Sequence, residues 1–418
     1  MPSRVTSPVI SPMILPVFSL AVFFTGATEF MLSPMLQPLA TAFKTTPDKA
    51  AWLVSGYALA YALAAPVLGW LSDRVSRHNV LVASLLFLAF DGVALTFAPN
   101  LETAIGLRIF GGIASAALVP TIFALVAEIL PSSDLPSNDR LSNKQASAMG
   151  VVMLGMTAGI ATGPVFAGIL TEVFNWRIPF LLNAAGCLLL CFLSRKLILT
   201  LKNIPPRSPK TRFHAEKTKS RALTFHWLYR EKVILPLIAK GFWNGTAVSA
   251  FILAGEVLRQ HYDLATGAVG VSVSAFGIGL GLGNLSVTVV KRLPVRDESL
   301  LLSAVIVLLV ACSAFMLLPL SIAFSLCCLM LWGCTLGFAA PVSTSILANR
   351  ARQNKGQILA ISESLNNLVI LVLLPIATMQ LVRHGVIITM VILGSGLMTG
   401  IVLMMKDISV TPSPFWKK

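Results

Sequence analysis

The chain of 418 residues is 56% hydrophobic and only 12% charged, with a mean hydropathy of +0.82, whereas soluble domains carry about a quarter charged residues. That balance excludes an ordinary soluble globular protein, and apolar runs of about 20 residues from end to end make lipid the solvent. The formal charge of +15, from 32 Lys and Arg against 17 Asp and Glu, would suggest nucleic acid as partner in a soluble protein; in a membrane protein the placement of the charges matters more than their sum.

Twelve apolar runs bounded by charges, Pro, Asn and Gly predict spanning helices over 12–36, 50–71, 79–98, 102–130, 145–171, 178–200, 233–257, 265–290, 299–318, 321–347, 356–381 and 385–405. The first is too long for a signal-peptide core, follows one basic residue (Arg4) and precedes no small-residue cleavage pattern, so it is kept as a span. Only a helix satisfies its own backbone in lipid, so the fold class is an all-α membrane protein of 12 transmembrane helices. The longest polar stretch, rich in Pro and basic residues, separates the sixth and seventh spans. It divides the chain into a six-helix bundle over 1–200, a linker over 201–232 and a second six-helix bundle over 233–418.

With the N-terminus inside, the even-numbered connections and both tails hold 25 of the 32 basic residues. The other side holds five, Lys44, Lys49, Arg177, Arg259 and Arg383, and Arg108 and Lys240 fall inside spans. This asymmetry places both termini in the cytoplasm and accounts for the basic character without nucleic acid. The linker also suits a tether to anionic lipid, although a solvated orientation signal is the simpler reading.

The six cysteines lie inside apolar runs without CxxC pairs or nearby His, and read as small packing residues. The five histidines sit in loops or at helix ends, which disfavours a buried His relay. The sequence contains no HExxH, GxSxG or Walker-type GxxxxGK[ST] motif. Two helix bundles with a basic central loop suit a secondary transporter with its site between them at mid-membrane. The expectation is therefore a transporter rather than an enzyme, without a cofactor or metal, driven by an ion gradient or by a subunit beyond this chain.

Motifs follow in chain order. The first span carries Gly26-Ala-Thr28-Glu29-Phe30 and then Pro34 and Pro38. Between the second and third spans the chain reads Gly69-Trp-Leu-Ser-Asp73-Arg74-Val-Ser76-Arg77. This loop resembles the G-x-L-x-D-R-x-G-R signature of the major facilitator superfamily, with Ser76 in place of the second Gly. Arg108-Ile-Phe-Gly111-Gly112 in the fourth span resembles that superfamily's fourth-helix Arg motif. In the fifth, Gly155, Gly159 and Gly163 share one face, where backbones can approach closely, and Pro164 permits a bend. With Gly168 they resemble the antiporter motif of the superfamily's exporters, with Ala167 replacing one Gly; pure packing is the competing explanation. The Thr28-Glu29-Phe30 opening resembles the sugar-efflux, arabinose-efflux-like and purine-nucleoside-efflux branch of the drug:proton antiporter-1 family. The second half departs from the pattern, because Gly283 to Arg296 holds no Asp-Arg pair.

At 1.5 Å per helical residue, Glu29, Asp91 and Arg108 fall at similar depth in the outer half of the first bundle. Burial favours the neutral form of a carboxyl group and a nearby Arg the ionised form, so movement of the partner can switch protonation. Glu29 is therefore the candidate proton carrier, Arg108 its modulator and Asp91 the second candidate. The competing reading is a static ion pair between the first and fourth helices. Substrate-cavity candidates are Tyr57 and Tyr61, four apart on the second span; Lys240 and Asn244, four apart on the seventh; and Asn366, with Glu363 and Asn367, on the eleventh. Core packing competes for the tyrosines, and snorkelling to the interface competes for Lys240. Together these features predict a proton-coupled exporter of small organic solutes such as drugs, sugars or nucleosides, in a bacterial inner membrane. Its partners are a small-molecule substrate and the bilayer, and the resemblance implies a monomer. Export of a self-made metabolite such as a siderophore, or solute uptake, are the alternatives.

Overall fold

The first helix, α1 (Ile14–Phe30), does not run on to residue 36 as the apolar pattern suggests. Pro34 has no N–H to donate, so the chain leaves the helix through a turn and resumes as a short helix, Leu36–Ala42. Pro38 is tolerated there because it lies in the first turn, where N–H groups have no helical acceptor. In the computed structural model, residues 13–71, 75–129, 139–201, 232–351 and 355–410 are described.

Eleven further long helices follow: α2 (Trp52–Leu71), α3 (Arg77–Thr96), α4 (Leu101–Ile129), α5 (Asp139–Val173), α6 (Arg177–Leu201), α7 (Ile234–Tyr262), α8 (Thr266–Val290), α9 (Asp297–Leu317), α10 (Ile322–Arg350), α11 (Lys355–His384) and α12 (Val386–Val410). By length and composition each of these eleven contains a segment able to cross a membrane, and α1 is apolar but shorter. The main departures from the predicted spans are that α5 starts at 139 rather than 145, α7 ends at 262 rather than 257, and α12 runs to 410. These extensions carry polar residues, which a hydropathy reading trims although the helical hydrogen bonds continue. Gly385, at φ +79°, takes the left-handed conformation that lets α11 reverse into α12 through a single residue.

The long helices alternate in direction, so all odd-numbered ones begin at one face. That face carries Arg77, Lys291, Arg292, Arg296 and Arg350 and is called the basic face here. In the first half α1 packs on α5, α2 on α4, α3 on α4, and α3 on α6. The second half repeats these pairings six helices later: α7 on α11, α8 on α10, α9 on α10, and α9 on α12. The halves meet through α5 against α8 and α2 against α11, two contacts that exchange under the same repeat. Large side chains such as Leu63, Leu182, Leu285 and Val391 point outward and are more than half exposed, as lipid-facing residues must be. Cys187, Cys191, Cys312 and Cys328 are buried, as packing residues should be, whereas Cys327 is exposed.

Glycines set how closely the helices approach. A Cβ on Gly159 would strike the Phe23 carbonyl oxygen of α1, and one on Gly155 would strike Ser19. Gly150, on the same helix, has open space around it. The Gly159→Ala variant should therefore lose about 1–3 kcal/mol through overpacking, while Gly150→Ala should be unchanged or slightly more stable. Thermal melting of the two variants in detergent checks this.

Candidate functional site

Five helices of the first half bring their polar side chains together near the end of α1 away from the basic face. The Tyr57 hydroxyl on α2 donates to Glu29 Oε1 at 2.8 Å. The guanidinium of Arg108 on α4 lies over the Tyr57 ring, 4.8 Å from its centroid, an arrangement favoured electrostatically. Arg108 Nη1 pairs with Asp91 Oδ2 of α3 at 2.5 Å, and both side chains are only 1% exposed. Arg108 Nη2 also reaches the Thr28 carbonyl at 3.5 Å. The Thr28 hydroxyl donates to Phe24 O and accepts from Asn183 Nδ2 on α6, each at 2.8 Å.

This geometry corrects the depth-based assignment. The buried ion pair joins α3 and α4, not α1 and α4, and Arg108 touches Glu29 only through the Tyr57 ring. Glu29 lies in the last turn of α1, beside the Pro34 break, rather than well inside a continuous helix. The twin glycines of α4 account for the fit: a Cβ on Gly111 would collide with the Asp91 carboxylate, and one on Gly112 with the α2 backbone at Tyr57. Tyr57 is therefore a buried bridging group, while Tyr61, with its ring centroid 6.4 Å away, is half-buried.

In the second half, Lys240 is not snorkelled to an interface. Its side chain is 3% exposed, and Nζ donates to Glu363 Oε1 at 3.2 Å and to Thr344 Oγ1 at 3.1 Å. The Thr344 hydroxyl proton points to Ala340 O, leaving a lone pair for the ammonium. Asn244 and Asn366 are buried nearby on α7 and α11, and Asn367 Nδ2 donates to the Glu363 carbonyl at 3.0 Å. Glu363 lies within electrostatic reach of both Tyr61 and Glu29 across the boundary between halves. Thr344 and Asn183 are the contributors that sequence reasoning missed. A lone polar residue inside an apolar run was the only available signal for either.

The motif residues divide between the two faces. Asp73 and Arg74 lie outside the described residues, and Gly69 is described only as part of α2. Arg77 Nη1 donates to the Ala124 carbonyl at 3.1 Å, tying α3 to α4 at the basic face. Gly159 and Gly163 pack on α1 at Phe23 and Ala27, whereas Gly168 and the Pro164 carbonyl meet Gly270 of α8. The antiporter-like segment thus packs on α1 through Gly155, Gly159 and Gly163, while Thr157, Ala161, Pro164 and Gly168 meet α8 of the other half along its length.

At the face opposite the basic one, the halves are joined by side-chain bonds to backbone. Ser33 Oγ donates to Phe251 O at 3.0 Å and Arg259 Nη2 to Pro34 O at 3.3 Å. The Gly267 N–H at the start of α8 donates to Glu172 Oε2 of α5 at 2.6 Å. The Phe30 ring stacks against Phe251 and Phe276 beneath them. Among the described residues, no group of three or more His, Cys, Asp or Glu is arranged to hold a metal.

The profile of the Major Facilitator Superfamily matches residues 18–374. The chain belongs to this superfamily. Relatives of this major facilitator protein include an uncharacterized MFS-type transporter of Bacillus subtilis, YceJ, 26% identical over 273 residues that cover 64% of each chain. The multi-drug resistance efflux pump PmrA of Streptococcus pneumoniae is 29% identical over 180 residues, covering 41% of this chain and 42% of that protein. The multidrug efflux pump LfrA of Mycolicibacterium smegmatis is 28% identical over 197 residues, covering 47% and 37%. The chain spans less than two thirds of the length of each of these relatives. Among solved structures, a bacterial homologue of the human lysosomal transporter Spinster, inward-facing and unoccupied, superposes with TM-score 0.71 at 17% identity, covering 98% of this chain and all of that one. The nucleoside transporter NupG superposes with TM-score 0.70 at 12% identity, covering 96% of this chain and all of that one. These likenesses show the fold.

Removing one partner of the Arg108–Asp91 pair leaves a buried charge uncompensated. Asp91→Asn should therefore cost about 3–5 kcal/mol. The double variant Asp91→Asn with Arg108→Gln should regain a substantial part of that loss. A double-mutant cycle on detergent melting temperatures or expression levels reads the coupling.

Proposed function

We propose that this major facilitator protein is a proton-coupled exporter of small organic solutes, working by alternating access of a site between its two six-helix halves. One observation carries the reading. Of the charges deep in the helices among the described residues, Asp91 is paired with Arg108 and Glu363 with Lys240, but Glu29 has no basic partner within ion-pair distance. Its contact is the neutral Tyr57 hydroxyl. An acid left unpaired in lipid is costly unless it takes up a cation, and the simplest cation is a proton. Arrival of substrate between the halves can then displace that proton, which couples the two flows. The Gly159–Pro164 segment, with its likeness to the superfamily's antiporters, and the multidrug efflux pumps among the relatives support export over uptake.

On this reading the basic face lies in the cytoplasm, in accord with the bias of Lys and Arg toward it. The membrane is a bacterial inner membrane, the working unit is a monomer, and the proton gradient supplies energy without a cofactor. Bonds between the halves at the opposite face favour access to the site from the basic side.

The test is flux in proteoliposomes under an imposed pH gradient, with a panel of dyes, nucleosides, sugars and siderophores. Substrate should move opposite to the proton. In Glu29→Gln the gradient-driven rate should fall at least about tenfold while binding persists. Movement with the proton would overturn export, and an unchanged rate in Glu29→Gln would overturn the role of Glu29.

A further inference from the structure

The second half holds a charge pair that proton coupling through Glu29 does not use. Lys240 and Glu363 bond to each other, yet their exposures differ sharply: 3% for the lysine side chain and 41% for the glutamate. The face offered to the space between the halves is therefore acidic, with the ammonium tucked behind it. The ammonium is held by a carboxylate oxygen and by a hydroxyl whose proton is already committed to Ala340. These are the acceptors that any alkylammonium group needs.

Two further features point to a ligand. Asn366, one helical turn from Glu363 and on the same face of α11, has its Oδ1 buried with no hydrogen-bond partner, and the residue is only 7% exposed. A buried acceptor without a donor is expensive and is satisfied by a group that brings an N–H. Tyr61, half-buried on α2 of the opposite half, is within electrostatic reach of Glu363 and of Glu29. An aromatic ring at that range attracts a cation held at Glu363.

We propose that Glu363 is the docking carboxylate for the ammonium group of a cationic, amphipathic amine, and that Lys240 is its resting counter-ion, a tethered ammonium that the ligand displaces. The ligand's ammonium takes the place of Lys240 at Glu363, with Asn366 Oδ1 as a further acceptor, and its apolar body lies against Tyr61. Lys240 thereby sets a threshold, since an uncharged solute gains nothing by displacing it. The assignment rests on the reading of the space between the halves as the substrate path, and it names the class of substrate.

The test is equilibrium binding to the purified full-length protein in detergent, without any gradient. The probes are dansylcadaverine, a fluorescent primary amine whose aminoalkyl chain resembles that of lysine, and its uncharged N-acetyl derivative. The wild-type protein should bind the amine saturably and more tightly than the acetylated dye. Glu363→Gln should weaken the amine by about tenfold or more and leave the acetylated dye within twofold. Lys240→Gln should tighten the amine by at least about threefold, because the competitor is gone. Failure of the wild-type protein to bind the amine, or equal loss of both dyes in Glu363→Gln, overturns the proposal; unchanged amine affinity in Lys240→Gln overturns the displacement by ligand. Because no gradient is present, a failure here leaves antiport through Glu29 standing for uncharged solutes, and failure of Glu29→Gln to alter flux leaves this binding result intact.

Discussion

Arg108 is a guanidinium that cannot shed its proton, set where lipid surrounds the bundle, and the polar architecture of the first half follows from that constraint. Burying such a group unpaired is far costlier than the net worth of any pair it forms. The structure meets the demand from three sides, with the Asp91 carboxylate, the Tyr57 ring and the Thr28 carbonyl. Each of these in turn dictates a neighbour. Gly111 leaves room for the carboxylate, Gly112 lets α2 approach so that the ring sits under the guanidinium, and Asn183 holds Thr28. Tyr57 then has its hydroxyl free to bond Glu29. Glu29, the proposed proton carrier, is thus oriented by the residue that also caps the arginine.

The larger architecture rests on backbone proximity. Without a hydrophobic force between helices in lipid, tight packing needs small residues, and here the glycines of α5 admit α1 while those of α8 and α10 admit each other. The same pairings recur in both halves, and the two contacts between halves, α5 with α8 and α2 with α11, exchange under that repeat. The joint uses the same device, because Gly270 and Gly277 of α8 admit the α5 backbone at Pro164 and Ala161.

Much of this was legible from the sequence because lipid imposes a length scale: apolar runs of spanning length gave the number and order of the long helices. The ends were less legible, since helices α5, α7 and α12 continue through polar residues that water accepts, and since Pro34 breaks an apolar run that hydropathy alone joins to α1. Depth along a helix could be counted, and it correctly placed Glu29, Asp91 and Arg108 near one level. Depth is a single coordinate, however, and the choice of Asp91 over Glu29 as the partner of Arg108 depends on which helices are neighbours and how each is rotated. Lys240 shows the same limit, because its partner Glu363 is 123 positions away on a helix whose adjacency to α7 appears only in the fold. The part played by Tyr57 was hidden for another reason: a tyrosine in an apolar run looks like packing until its hydroxyl has an acceptor.

The cancellation of charges within the helices bears on how this protein responds to an electric field. With Asp91 balanced by Arg108 and Glu363 by Lys240, the deep side chains described sum to a single negative charge when Glu29 is ionised. One proton, or one monovalent organic cation, brings the sum to zero. A body that carries net charge through a membrane potential feels about 2.3 kcal/mol per unit charge for each 100 mV, and a neutral body feels none. If the proposed exchange of proton for cation runs one for one, the voltage acts on the empty form alone and no net current moves. Such a carrier draws on the chemical gradient of protons and spares the electrical one.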